Sequence, residues 1–208
     1  MEKNLMIITV LDTETTGLKR DEHEIIEIAL VSYIISANGD RYLLKAFESK
    51  IQPQHIETAS PEALEVNGYS EEAWVGAPQF AKVYPEIKNM IEESDCLLGQ
   101  NLIFDLRFLE SACKTINEQV PDFPMYFDTK QVADYLFESN WIEKTNLDYL
   151  CSRFGIEFEG RAHTALADCK RTMQLWEKLT KECDNYEPFT FENPYQRKRG
   201  YRKWSMKR

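Results

Sequence analysis

Apolar residues cluster early in the chain. Residues 5–10 form a run of six with only Thr9 polar, and it breaks off at Leu11-Asp12-Thr13-Glu14-Thr15-Thr16-Gly17. Its length and β-branched content predict a buried strand that ends in two carboxylates. A second apolar run covers 25–35 and a third 42–47, with Asn38-Gly39 between them. Asn-Gly in that place predicts a hairpin closed by a type I′ turn, which needs φ > 0 at both central residues. Three strands thus open the chain, the second and third antiparallel.

The pattern then changes period. Residues 53–77 are polar and turn-rich, with a short helical piece around 61–66. From Phe80 onward Val83, Ile87, Met90 and Ile91 recur at helical spacing, and Pro85 is expected to bend or split that helix. Cys96-Leu97-Leu98-Gly99 reads as a short strand. Phe104, Phe108, Leu109, Ala112, Cys113 and Ile116 follow as one face of a helix. Met125-Tyr126-Phe127 is a further strand, and Asp128-Thr129-Lys130-Gln131 a capping box, which makes Asp128 a cap rather than a ligand. Asn146 caps another helix that stops at Gly155. A last long helix starts near His163 or Thr164 and runs to about 182, with Ala165, Cys169, Met173, Trp176 and Leu179 inward. Strands first, then helices with short strands between, predict an α/β fold: a mixed sheet covered by helices.

Composition narrows the class. The 208 residues, 43% apolar and 12% aromatic, suit one globular domain with an appendage. No stretch of 18 apolar residues or secretory leader is present, so a soluble, intracellular (cytoplasmic) protein with no membrane partner is expected. Cys96, Cys113, Cys151, Cys169 and Cys183 are odd in number and never spaced C-x-x-C, which predicts reduced core thiols. The net charge of −10 hides an asymmetry: residues 197–208 hold seven basic residues and no acid. The boundaries expected are a domain over 1–186 and a basic, aromatic tail over 187–208.

The candidate chemistry lies in carboxylates at element ends. Asp12 and Glu14 are two apart in a strand and leave on one face, with Thr13 on the other. At roughly 6 Å and an effective dielectric near 20 they repel by about 3 kcal/mol, which invites a cation. Asp105 sits in Asn101-Leu102-Ile103-Phe104-Asp105 at the start of a helix that follows a strand. Asp168 lies in His163-Thr164-Ala165-Leu166-Ala167-Asp168. Five residues are about 500° of helix, so His163 reaches the same site only from a loop or first turn. His23 and His55 have nothing comparable around them. Carboxylates suit Mg²⁺ or Mn²⁺, two such ions can flank an in-line phosphoryl displacement, and a histidine suits proton abstraction from water.

Together D-x-E-T-T-G, N-x-x-F-D and H-x-A-x-x-D resemble the motifs of the DEDDh 3′–5′ exonucleases, over roughly residues 5–182. Lys144-Thr145-Asn146-Leu147 through Phe154-Gly155-Ile156 also resembles the helix before the third motif. The resemblance implies a ribonuclease-H-like fold of about five strands, the first three antiparallel. It implies two divalent ions held by Asp12, Glu14, Asp105 and Asp168, and His163 as general base. It further implies that Thr15, Thr16 and Gly17 approach the terminal nucleotide, with Asn101 and Phe104 beside it. Phe104 reads equally well as a core residue of its helix. Two departures stand out: Gln100-Asn101 where many relatives have His-Asn, and Asn67-Gly68 where many have His-Gly.

The implied partner is a single-stranded 3′ end. In the tail, Arg197, Lys198, Arg199, Arg202 and Lys203 interleave with Tyr201 and Trp204, a pattern that neutralises phosphates and stacks bases. The same tail could dock on a polymerase or another replication or RNA-processing protein. The competing readings are therefore a free exonuclease, a proofreading subunit bound to a polymerase, and a silent binding module on the same fold.

Overall fold

A computed structural model of the protein describes residues 5–137, 144–157, 164–182 and 191–192. Three long strands come first: β1 (Met6–Thr15), β2 (Ile25–Ile35) and β3 (Arg41–Lys50). A one-turn 3₁₀ helix at Ile56–Thr58 leads to α1 (Pro61–Asn67), α2 (Glu71–Trp74) and α3 (Phe80–Glu92). Then β4 (Cys96–Gly99), α4 (Leu102–Thr115), β5 (Met125–Asp128) and α5 (Thr129–Phe137) alternate. The chain closes with α6 (Leu147–Arg153), α7 (Ala165–Glu182) and the two-residue β6 (Phe191–Glu192).

The sheet order is β3-β2-β1-β4-β5-β6. Neighbours β3, β2 and β1 are antiparallel, β1-β4-β5 parallel, and β6 antiparallel to β5. This is the mixed sheet expected, with β6 as an addition. Because Phe191 and Glu192 pair with Tyr126 and Met125, the chain rejoins the sheet inside the segment assigned to the tail. The rest of that segment, including Arg197, Lys198, Arg199, Arg202, Lys203 and Trp204, lies outside the described residues.

The turn between β2 and β3 differs from the type I′ form. Gly39 donates its N–H to Ser36 O, and Gly39 has φ = 86°, but Asn38 is not in the left-handed region. That is a type I turn followed by a left-handed glycine, the longer hairpin solution. Pro85 does not split α3, which runs unbroken from Phe80 to Glu92. The N–H that Pro85 lacks would have met only the carbonyl of Ala81, one residue into the helix.

Alternation along β1 sets the two layers. Leu11 packs with Val83, Ile87, Leu106 and Leu109 of α3 and α4. Ile8 and Val10 pack on the other face with Cys169, Met173 and Trp176 of α7. A third cluster joins α5, α6 and α7 through Val132, Leu150 and Leu175. Cys96, Cys113, Cys151 and Cys169 are buried and unpaired as thiols, while Cys183 lies outside the described residues. Among the described residues no helix is long and apolar enough to cross a membrane.

Candidate active site

The alternation that buries Ile8 and Val10 against α7 carries on past the apolar run, so Asp12 and Glu14 emerge on the α7 side of β1. Asp168 reaches them from the first turn of α7. One carboxylate oxygen from each of Asp12, Glu14 and Asp168 lies within 4.8 Å of the others. Side chains 156 positions apart in sequence thus converge because β1 and α7 pack directly.

Asp105 arrives from the opposite layer, in the first turn of α4, and is 4% exposed. Thr13, the residue that points away from Asp12 and Glu14, holds it: the Thr13 N–H (2.9 Å) and hydroxyl (2.6 Å) both donate to Asp105 Oδ1. Asp105 is therefore fixed at the edge of β1 and acts on Asp12 as the strongest neighbouring charge.

Burial and mutual repulsion raise the pKa values of the cluster's carboxyls. Burial, and then repulsion from Asp105, Glu14, Asp168 and Glu27, pushes the Asp12 carboxyl well above its ordinary range. Burial followed by Asp168, Glu27 and Asp105 pushes Glu14 up to about 8. Burial raises Asp105 to about 7 against the pull of the Thr13 hydrogen bonds. Carboxyls so placed hold protons near neutral pH unless a positive charge replaces those protons. Oxygen donors of this kind fit a hard divalent cation such as Mg²⁺ or Mn²⁺.

Surrounding residues hold the cluster, and several were not anticipated from the sequence. Arg171, 2% exposed, donates to Asp168 Oδ1 at 2.9 Å and to Asp148 Oδ1 at 2.6 Å, tying α7 to α6. Glu27 of β2 stands opposite Glu14 in register and accepts the Ala165 N–H at 2.8 Å. A lone acid inside the apolar run of β2 was the available signal for Glu27. For Arg171 the signal was a cation three residues after Asp168, on an otherwise apolar stripe.

The loop after β1 is tightly built. Thr15 donates its hydroxyl to Gly17 O and accepts from the Asn67 side-chain amide at its own carbonyl. Thr16 is fully buried, gives its N–H to Glu24 O and accepts the Ser60 N–H. Its polar groups are thus engaged inside the protein. A Cβ on Gly17 would stand 2.5 Å from His23 Cε1, so the His23 ring fills the space that the glycine leaves. His23 Nδ1 also accepts the Lys19 N–H. The His55 ring, by contrast, is exposed and meets Glu57 Oε1 at 3.3 Å, while its backbone N–H donates to Glu24 Oε2.

At the start of α4, Asn101 adopts φ = 64° and donates its N–H to Asp128 Oδ1. Asp128 also accepts from the N–H groups of Lys130 and Gln131 and from the Gln131 side chain, so it is the cap the sequence predicts. Phe104 is half-buried, packs against the α3–α4 core and meets Phe108 at 4.8 Å between ring centres. Gln100 donates to Thr145 O, linking β4 to the start of α6. His163 lies outside the described residues, two positions before the first residue of α7.

Comparison with known proteins agrees with this geometry. Residues 9–176 match the model of the family described as Exonuclease (RNase_T). DNA polymerase III subunit epsilon of Haemophilus influenzae is 30% identical over 179 residues, which cover 82% of this chain and 66% of that one. The chain thus spans just under two thirds of that relative. Ribonuclease T of Actinobacillus pleuropneumoniae is 27% identical over 179 residues, covering 80% of each. Among solved structures, the nuclease domain of 3′hExo, a DEDDh family member bound to rAMP, superposes with a TM-score of 0.70 at 19% identity. It covers 92% of this chain and 99% of that one, a likeness of fold.

Proposed function

The chain belongs to the Exonuclease (RNase_T) family of metal-dependent 3′–5′ exonucleases, and from that premise we propose that it removes nucleotides one at a time from the 3′ end of single-stranded DNA or RNA, releasing nucleoside 5′-monophosphates. The observation that carries this reading is the convergence of Asp12, Glu14 and Asp168 within 4.8 Å, with Asp105 clamped beside Asp12.

Asp12, Glu14 and Asp168, with Asp105 beside them, would hold the divalent metal, two ions in this reading. When bound, two such ions stabilise charge on the attacking and leaving oxygens of an in-line displacement. His163 takes the proton of the attacking water, a role suited to an imidazole. Water's oxygen forms the new bond to phosphorus, the bond to the 3′-oxygen breaks, and the enzyme forms no covalent intermediate. Arg171 and Thr13 keep Asp168 and Asp105 oriented throughout. Thr15 and Gly17, Asn101, and the Phe104 ring line the approach for the terminal nucleotide, while the fully buried Thr16, its N–H and carbonyl already engaged, supports the loop from within. An aromatic face there accepts any base.

The tail residues Arg197, Lys198, Arg199, Arg202, Lys203 and Trp204 extend the track for the strand in this reading, and removing them weakens binding without touching the chemistry. A second reading, attachment to a polymerase through the same tail, is favoured by the likeness to a polymerase subunit. A purely binding role is disfavoured, because crowded carboxylates add repulsion that a binder of polyanions would avoid.

The test is a time course on matched single-stranded DNA and RNA carrying a 5′ label, in Mg²⁺ and in EDTA. A ladder that shortens stepwise from the 3′ end, and stops in EDTA, supports the proposal and reports the preferred sugar. Internal cuts, or no shortening of either strand, oppose it.

A further inference from the structure

Glu27 is out of place by composition. It sits within the run Ile25–Ile35, is 6% exposed, and faces Glu14 across the β1–β2 pairing. A buried carboxylate beside the half-buried Glu14 is costly unless a partner offsets the cost. That partner is the start of α7. Ala165, the first residue of the helix, donates its backbone N–H to Glu27 Oε1 at 2.8 Å. First-turn N–H groups have no acceptor within their own helix, and the helix dipole favours an anion at that end.

The contact spans 138 residues of sequence and joins the strand beside Glu14 to the helix that carries Asp168. Within α7 the register continues from this point: Ala167 N–H meets Thr164 Oγ1 and Asp168 N–H meets Thr164 O. Wherever Glu27 fixes the Ala165 amide, Asp168 follows three residues later. The side chain that completes the cluster with Asp12 and Glu14 is therefore aimed by two anchors. Arg171 holds its carboxylate directly, and Glu27 holds the helix end beneath it.

We propose that Glu27 is a positioning residue of the metal centre: by holding the Ala165 N–H it sets how closely Asp168 approaches Asp12 and Glu14. The proposal rests on the nuclease reading above. In this role Glu27 acts through the backbone of α7. The contact also fixes the first residue of α7, two positions after His163 in the sequence.

Two conservative variants separate position from charge. Glu27→Asp keeps the charge but withdraws the carboxylate by one methylene from Ala165. Glu27→Gln keeps an acceptor at full reach and removes the charge. Mn²⁺ binding to the metal-free protein, followed by electron paramagnetic resonance, gives a readout independent of catalysis, and steady-state digestion of a single-stranded oligonucleotide gives kcat and KM. Loss of a partner that orients metal ligands costs on the order of 10–100-fold in affinity or activity. Glu27→Asp should therefore weaken Mn²⁺ binding and lower kcat by at least about tenfold, with KM for the oligonucleotide within about twofold. Glu27→Gln should stay within about threefold of wild type in all three quantities.

A Glu27→Asp protein equal to wild type overturns the proposal. So does a Glu27→Gln protein as impaired as Glu27→Asp, because charge rather than position would then be the cause. If Glu27→Asp does not fold, Glu27→Ala takes its place: Mn²⁺ binding equal to wild type overturns the proposal, and binding at least about tenfold weaker, with Glu27→Gln within about threefold, supports it. A wild-type protein that releases no mononucleotides sinks the nuclease reading, and the Mn²⁺ comparison still decides the role of Glu27.

Discussion

Thr13 holds Asp105 with two hydrogen bonds to a single oxygen, at 2.9 Å from its N–H and 2.6 Å from its hydroxyl. A residue on the far side of β1 thus orients a carboxylate that belongs with Asp12. Replacing Thr13 by Val keeps shape and backbone donor but removes the hydroxyl. Asp105 then loses the largest influence that lowers its pKa and moves further above about 7. The expected outcome is a fall in kcat of about 10–100-fold, as for other partners of metal-site carboxylates. Comparing kcat and oligonucleotide KM for Thr13→Val and wild type checks it, and an unchanged kcat would refute it.

The raised carboxyls make metal-free stability depend on pH in a definite direction. Glu14 is ordinarily near 4.5 and rises to about 8 in the fold, through burial first and then its acidic neighbours. The folded state therefore binds more protons than the unfolded state between those values. Its contribution is fully present below about 4.5 and is lost as pH rises through about 8. In EDTA, Tm should fall across that window. An ion at about 100 times its dissociation constant adds about 2.7 kcal/mol, and its effect grows with pH as it displaces protons. Thermal melts at acidic and alkaline pH, with and without Mg²⁺, measure this; a Mg²⁺ effect larger at acidic pH contradicts it.

Arg171 is a buried cation between Asp168 and Asp148. Removing one member of a buried pair leaves the other uncompensated, at a cost of about 3 kcal/mol. Arg171→Met should accordingly lower Tm by about 6–12 °C for a domain of this size. Asp148 has a side chain 54% exposed, so Asp148→Asn should cost less than about 1 kcal/mol. Equal losses in the two variants would place the weight on the α6 contact and against the buried one.

Gly17 owes its identity to a close approach. An alanine methyl would meet the His23 ring at 2.5 Å, so Gly17→Ala must shift the loop after β1. Overpacking of this kind costs about 1–3 kcal/mol. Shortening the ring as well, in Gly17→Ala/His23→Ala, should recover part of the loss, a coupling that a double-mutant cycle measures directly. Strict additivity of the two changes would show that the two residues do not compete for the same space.

How legible was this site beforehand? Period-two alternation carried Asp12 and Glu14 to one face, and the helical stripe of α7 carried Cys169, Met173 and Trp176 inward. Both follow from local geometry. The role of Asp128 was equally local, a cap three residues from its partner. The turn at Asn38 was harder, because Asn-Gly also suits the type I turn with a left-handed glycine that the hairpin adopts. Glu27 and Arg171 stand out as charges within apolar stretches and Thr13 does not stand out at all, but the role of all three is illegible for another reason. Their meaning lies in contacts such as Glu27 to Ala165 and Thr13 to Asp105, which no periodicity in the chain encodes. The role of His23 has no sequence signal, because the space it fills is made by an absent side chain.

The most direct test of the metal centre as a 3′–5′ nuclease is the identity of the product. A single-stranded oligonucleotide is digested with Mg²⁺ by wild type and by Asp12→Asn, and the released species are weighed by mass spectrometry. Nucleoside 5′-monophosphates from the 3′ end, absent with Asp12→Asn and absent in EDTA, are the predicted result. Nucleoside 3′-phosphates, oligomeric fragments, or release that survives Asp12→Asn or EDTA would contradict the account.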